Sequence, residues 1–173
     1  KNTDKFVSVK RNINAGKPWY KIKVKTTGNF IFNYYMRKNI DFIYNKSGYV
    51  VSDNFYILNI NKNPLAHLAI LNSSFTRLAI LQYSRNQGNG LKKIQAYEFK
   101  EVPVVDLGKL SDKVIDNLSK LGKKLQKINR YNYEVTEKLL TSVDEILLQE
   151  YNLATNSQIS INQINKDLSF YFN

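Results

Sequence analysis

The sequence predicts an α+β fold: a mixed, irregular β-sheet with short helices, followed by a helical C-terminal segment. Three observations lead there. Short aromatic and β-branched runs fill residues 19–60, two apolar helical stretches follow at 65–82 without a βαβ rhythm, and from residue 109 the apolar spacing becomes that of helices packed on helices. The chain is therefore divided into one domain over 1–108 and a helical tail over 109–173.

The elements follow in order. "WYKIKVK" at 19–25 alternates with the period of a strand, placing Ile22 and Val24 inward and Lys21, Lys23 and Lys25 outward. Lysines two apart on a strand lie about 6.6 Å from each other, a spacing that suits a phosphate backbone and equally suits an edge strand guarded against association. Further strands are expected near 30–35, 41–44, 49–51 and 55–60, with "NKSG" at 45–48 as a hairpin turn. Arg37 and Lys38 then fall in a connection. The aromatics read mainly as core, with Tyr34, Tyr35 and Tyr49 as candidate stacking platforms.

"NKNP" at 61–64 is turn chemistry with Pro64 set to open a helix, and "NSS" at 72–74 caps a second helix from about 75 to 82. "SRNQGNGLKKI" at 84–94 is a polar glycine loop. "LKKI" and "YEFKEVPVVDL" then read as strands or extended segments, the second irregular because of Pro103. In the tail, Leu110, Val114, Leu118, Leu121, Leu125 and Ile128 form the seam of a helix over about 111–129, with Ser111 as N-cap and Leu110 and Ile115 as staple. "SVDE" at 142–145 is a capping box for a second helix over about 142–151, and 154–173 reads as polar, Asn-rich and loosely ordered at its end.

The net charge of +12 is uneven: residues 1–108 hold 17 basic and 6 acidic residues, the remainder 9 and 8. A field of +11 on the first part draws polyanions, and nucleic acid is the commonest that a soluble basic domain meets. The Lys, Asn and Ile richness also fits a biased coding composition, which would not by itself make the two parts differ. With no cysteine and a single histidine, His67, disulfides, thiol catalysis and multi-histidine metal sites are excluded, and His67 reads as structural. The chain begins at Lys1, as an excised piece of something longer would. It shows neither a membrane span nor a leader, so a cytoplasmic product is expected.

Nucleotide chemistry is missing. "GNGLKK" puts Lys93 where a dinucleotide fingerprint needs its third glycine, no phosphate-loop motif occurs, and no paired carboxylates or metal-ligand spacing is found. No catalytic residue and no metal ligand is assigned. Binding is what remains.

Six pieces in order carry a family likeness: "PWY" at 18–20, "MRK" at 36–38, "VSDNFYIL" at 51–58, "LAILNSS" at 68–74, "NQGNGLKKI" at 86–94 and "EFKEVPVVDL" at 98–107. Together they resemble the C-terminal target-recognition domain of adenine-N6 DNA methyltransferases, the TaqI-like specificity domain also found in type IIG-like restriction-modification enzymes. "SVDEILLQEYNL" at 142–153 looks like the short helix near the C-terminus of such proteins. The resemblance implies a parent enzyme that uses S-adenosylmethionine, with or without a fused nuclease. The cofactor motif and the [DNS]-P-P-[YF] motif of its catalytic domain are absent, since Pro18, Pro64 and Pro103 are never adjacent, so this piece binds no cofactor and does not methylate alone.

The expected partners are double-stranded DNA and the parent's catalytic domain, with the helical seam available for self-association and no membrane. Base readers are sought among Arg37, Asn54, Arg85, Asn86, Gln87 and Asn89, because Arg pairs with guanine and amides with adenine. Phosphate contacts are sought among Lys21, Lys23, Lys25, Lys38, Lys92 and Lys93. Two alternatives remain open: a helical protein-interaction module with an incidental basic face, or an RNA-binding accessory domain that stacks bases on its exposed tyrosines.

Overall fold

Phe30, Ile31 and Phe32 are all buried, which a strand achieves only at the centre of a covered sheet. β1 (Phe30–Asn33) accordingly pairs on both sides, antiparallel to β3 (Phe42–Tyr44) and to β4 (Phe55–Leu58). The computed structural model describes residues 7–18, 20, 27–37, 39–128 and 133–171. One residue beyond β1, the chain enters β2 (Tyr35–Met36), which belongs to a second small sheet of order β2, β6 (Lys92–Lys93), β5 (Arg85–Asn86). The strand expected at 30–35 is thus two strands split at Tyr34. Lys21, Lys23, Lys25 and Lys38 lie outside the described residues, as does the strand expected at 19–25 except for Tyr20.

Residues 49–51 are not a strand: the turn after β3, with Gly48 at φ 67°, opens into a loop. β3 therefore remains an edge strand, and a side chain occupies that edge. Asn72 Oδ1 accepts from Phe42 N at 3.0 Å, and Asn72 Nδ2 donates to Phe42 O at 3.1 Å and to Leu68 O at 2.8 Å. The "NSS" turn therefore both caps a helix and closes a sheet.

After the N-terminal helix α1 (Val7–Asn14) and strands β1 to β4, α2 (Pro64–Leu71) starts at Pro64 as expected, after Asn63 in the left-handed region at φ 48°. Its sequence is apolar nearly all round because it is the wall between two cores. Leu68 and Leu71 face the first, with Phe30, Phe32, Met36, Phe42 and Ile94; Ala66, Ala69 and Ile70 face the second, with Leu107, Leu118, Val143 and Leu147. His67, on the same helix, is half-buried with Nδ1 3.2 Å from Asn63 O. α3 (Ser74–Tyr83) follows with Ser73 as its N-cap, accepting from Thr76 N.

"YEFKE" is a helix, α4 (Ala96–Glu101), not a strand. Glu98 fixes its first turn by accepting from Gln95 N at 2.8 Å, and Phe99 stacks on Phe32 with ring centroids 5.2 Å apart. Only residues 102–106 after it are extended, and a 3-10 turn at Leu107–Lys109 leads into the tail.

α5 (Asp112–Lys127) has its expected Ser111 cap and seam. The seam packs within the chain: Val114, Leu118, Leu121 and Leu125 join the core shared with α2, and Gly122 lies so close to the Leu65 carbonyl that no Cβ would fit there. The boundary drawn at 108 therefore does not separate two cores. The helix expected at 142–151 is the middle of a longer one, α6 (Tyr133–Thr155). Ser142 is internal, donating to Lys138 O at 3.1 Å, so "SVDE" caps nothing there. Asp144 instead reaches across, and its Oδ1 accepts from Ser74 N at 2.8 Å at the start of α3. The polar stretch 154–173 contains a further helix, α7 (Ile161–Phe170), which buries Ile164 and lies against α3. Among the described residues no helix is long and apolar enough to cross a membrane, and no group of His, Cys, Asp and Glu has the makings of a metal site.

Candidate functional site

The polar glycine loop is the tip of a β-hairpin. β5 and β6 pair antiparallel, Arg85 opposite Lys93 and Asn86 opposite Lys92, and β2 continues the sheet with Tyr35 beside Lys93 and Met36 beside Lys92. Residues that pair directly share a face, so the two faces differ in character. Asn86, Lys92 and buried Met36 share one; Arg85, Lys93 and Tyr35 share the other.

The tip closes on itself. Gln87 N donates to Leu91 O at 2.8 Å and Leu91 N to Gly88 O at 2.9 Å, while Gly88, Asn89 and Gly90 all take positive φ, at 88°, 49° and 67°. Glycine adopts that region freely and asparagine tolerates it best among the rest, which accounts for "GNG". Arg37, at the end of β2, clamps the tip by donating from Nη1 to Asn89 O at 2.8 Å. Residues 85–90 are all exposed. This tip joins two antiparallel strands rather than a strand and a helix, so its glycines serve the turn.

The candidate base readers come together only in part. Arg85 is held from the side: its Nε donates to Glu98 Oε1 at 2.6 Å, its Nη2 donates to the Tyr97 hydroxyl, and the guanidinium lies 5.9 Å from the Tyr97 ring centroid. Nη1 has no partner among the described residues. Gln95 N–H is the main cause holding the Glu98 carboxyl below its ordinary range, with Arg85 adding to it, and Glu98 in turn raises the Arg85 guanidinium. Asn86 gives its Oδ1 to Lys92 Nζ at 2.7 Å. Gln87 and Asn89 project at the tip. Asn54 is exposed at the start of β4, and its carbonyl accepts from Tyr34 N at 3.3 Å, which puts it beside the link between the two sheets.

The lysines are not free cations on a face. Lys92 is only 9% exposed and is engaged inside the hairpin. Lys93 is half-buried, its Nζ 4.9 Å from the Tyr35 ring centroid and 5.7 Å from that of Tyr34. Those tyrosines pack on each other at 4.8 Å, and Tyr34 packs on Tyr56 at 4.9 Å. Burial, then Tyr34 and Glu98, raise the Tyr56 phenol, which donates to Ile94 O at 2.9 Å. Tyr49 lies elsewhere, tied to Asn45 at the other end of β1, so the three tyrosines make no common platform.

Glu98, Tyr97 and Tyr171 escaped the sequence reading. Glu98 is legible in part, since "QAYE" sets a carboxylate three residues beyond a helix start. Tyr171 gives no local signal, because it reaches Lys92 across 79 positions of sequence.

The profile of one family, the C-terminal domain of the Type II methyltransferase M.Eco57I, matches residues 9–148. The chain belongs to that family. Its resemblance to a methyltransferase C-terminal domain is thereby established, and its role lies within a type II methyltransferase of restriction-modification. The match runs through residue 108 and takes in α5 and most of α6, in line with the shared core, and leaves out α7. No curated protein matches the chain.

Proposed function

We propose that this M.Eco57I-type C-terminal domain reads the DNA target sequence for a methyltransferase that modifies adenine at N6 using S-adenosylmethionine held by its catalytic part. The observation that carries this reading is the self-closed β5–β6 hairpin, on which Arg85, Asn86, Gln87 and Asn89 are all exposed. A two-stranded ribbon fits a major groove, and those side chains match base edges. Glu98 and Tyr97 hold the Arg85 fork in place before binding, so less freedom is lost on contact. Arg37 fixes the tip and is a positioning residue as much as a reader.

Phosphate contact falls to the exposed cations. Lys113, Lys120, Lys124 and Lys127 recur with the helical period along the exposed face of α5. Lys92 and Lys93 serve the hairpin from within.

The test is a fluorescence-anisotropy titration of the chain against duplex DNA at several salt concentrations, followed by selection of preferred sequences. Steeply salt-dependent binding and a selected sequence are expected. Arg85→Ala should cost about 1–3 kcal/mol on that sequence and relax one position. An unchanged preference removes Arg85 from the readers, and absence of binding at low salt removes the proposal.

A further inference from the structure

α7 lies beyond the residues that the family profile matches, yet it touches the hairpin. Lys92 is a lysine buried to 9% exposure, which is costly unless its ammonium is well partnered. It has two partners. Asn86 Oδ1 accepts from Nζ at 2.7 Å, and the Tyr171 ring just past the end of α7 has its centroid 5.8 Å from the same nitrogen.

We propose that Tyr171 and Lys92 position the Asn86 amide, so that the C-terminal helix sets the base preference of the hairpin at one position. This rests on the reading of the hairpin as a DNA reader. An ammonium carries donors only, so Asn86 must turn its carbonyl oxygen toward Lys92 and its Nδ2 donors away from it. A free asparagine amide flips and offers either side to a base. This one is fixed as a donor. In the major groove a donor suits the acceptors of guanine, adenine N7 or thymine O4, and opposes the cytosine amino group. The aromatic face of Tyr171 attracts the ammonium and keeps it inward, on Asn86, rather than out in solvent. Tyr171 in turn is seated by α7, whose Leu168 and Tyr171 pack on the first core.

Selection of sequences from a random duplex pool tests this with four forms of the 173-residue chain: unchanged, Tyr171→Phe, Tyr171→Leu and Lys92→Met. Tyr171→Phe keeps the ring and should select the parent sequence. Tyr171→Leu and Lys92→Met should lose about tenfold of the discrimination against cytosine at one position. In Tyr171→Leu, which removes no charge, affinity for random DNA and its salt slope should stay within about twofold. A purely structural role would lower all affinities and the melting temperature together and would overturn the proposal. So would an unchanged preference in Tyr171→Leu. Should Tyr171→Leu fail to fold, Lys92→Met decides, since methionine fills the lysine stem's space without the donor. An unchanged chain that binds DNA yet selects nothing would sink the hairpin reading itself, an outcome distinct from failure of the α7 link alone.

Discussion

Four asparagine side chains among the described residues stand in for backbone: Asn29, Asn45, Asn72, and Asn152, which exchanges bonds of 2.9 and 3.2 Å with Ile159. Asn29 exchanges two hydrogen bonds with Ile60, Nδ2 to O at 2.6 Å and N to Oδ1 at 2.9 Å, and Asn45 does likewise with Tyr49 at 2.8 Å each. Asn72 does so with Phe42 at the edge of the first sheet, in a buried setting. An amide side chain carries the same donor and acceptor as a peptide unit, so it extends a ladder where no strand is available. Asn72→Ala strips partners from a buried N–H and a buried carbonyl and should cost about 3 kcal/mol, read from urea unfolding. Composition alone makes these asparagines look like drift, because partners such as Asn72 and Phe42 are thirty positions apart.

Asp144 supplies a pH test at the same scale. Burial raises its carboxyl above the ordinary aspartate range, outweighing the hydroxyl and backbone N–H of Ser74 and the charge of Arg77. The folded state thus holds the proton more tightly than the unfolded one. Its contribution is complete below the ordinary aspartate pKa and is lost as pH rises through the raised value. Asp144→Asn keeps an oxygen for Ser74 N and cannot ionise. Its stability relative to the parent should climb as pH rises from the acid range to neutrality, as measured by unfolding at a series of pH values; a constant difference would refute the assignment.

Among the elements, α5 was the most legible, because its seam, cap and polar face all state one period. Gly122 was the exception within it. A glycine in a helix interior is unfavourable by about 1 kcal/mol, so it signals a packing reason that sequence cannot locate. The reason is the Leu65 carbonyl on α2. Gly122→Ala should force the two helices apart and destabilise by about 3 kcal/mol, checked by thermal unfolding. α4 was illegible because six residues are too few to show a period, and its helix is set by Glu98 and by Phe99 packing across the sheet. α6 misled because "SVDE" satisfies a local rule that a longer helix overrides. α7 was not read as a helix because its sequence is polar and Asn-rich, and its Ser160 cap and its docked Ile164, Leu168 and Tyr171 show only in the structure.

On that same α5, Lys120→Ala with Lys124→Ala should lower the slope of log affinity against log salt by about 2 and weaken all DNA sequences alike. A loss on one sequence only would reassign those lysines from phosphate to base contact.

For the whole molecule, the division at 108 follows a real change of pattern and charge, yet packing does not respect it. α2 lends one face to each core, and Leu125 of α5 packs against both. A shift in periodicity reports a change of local structure, and a helix apolar all round reports two partners. The second signal was present in "PLAHLAIL" and is the better guide to where this chain is joined. The glycine loop was legible in the sequence, while the strand at Arg85–Asn86 that makes it a hairpin, and its support by Glu98, Tyr97 and Tyr171, depend on tertiary contacts.

The tip at 87–91 is bonded to itself, and among the described residues the Arg37 side chain clamps it through a backbone oxygen. A backbone oxygen is supplied by every residue type. The segment is therefore exchangeable: a different five-residue sequence with the same turn would meet the same clamp, and if the hairpin reads DNA as proposed, target preference can change at the tip while the two cores are left alone.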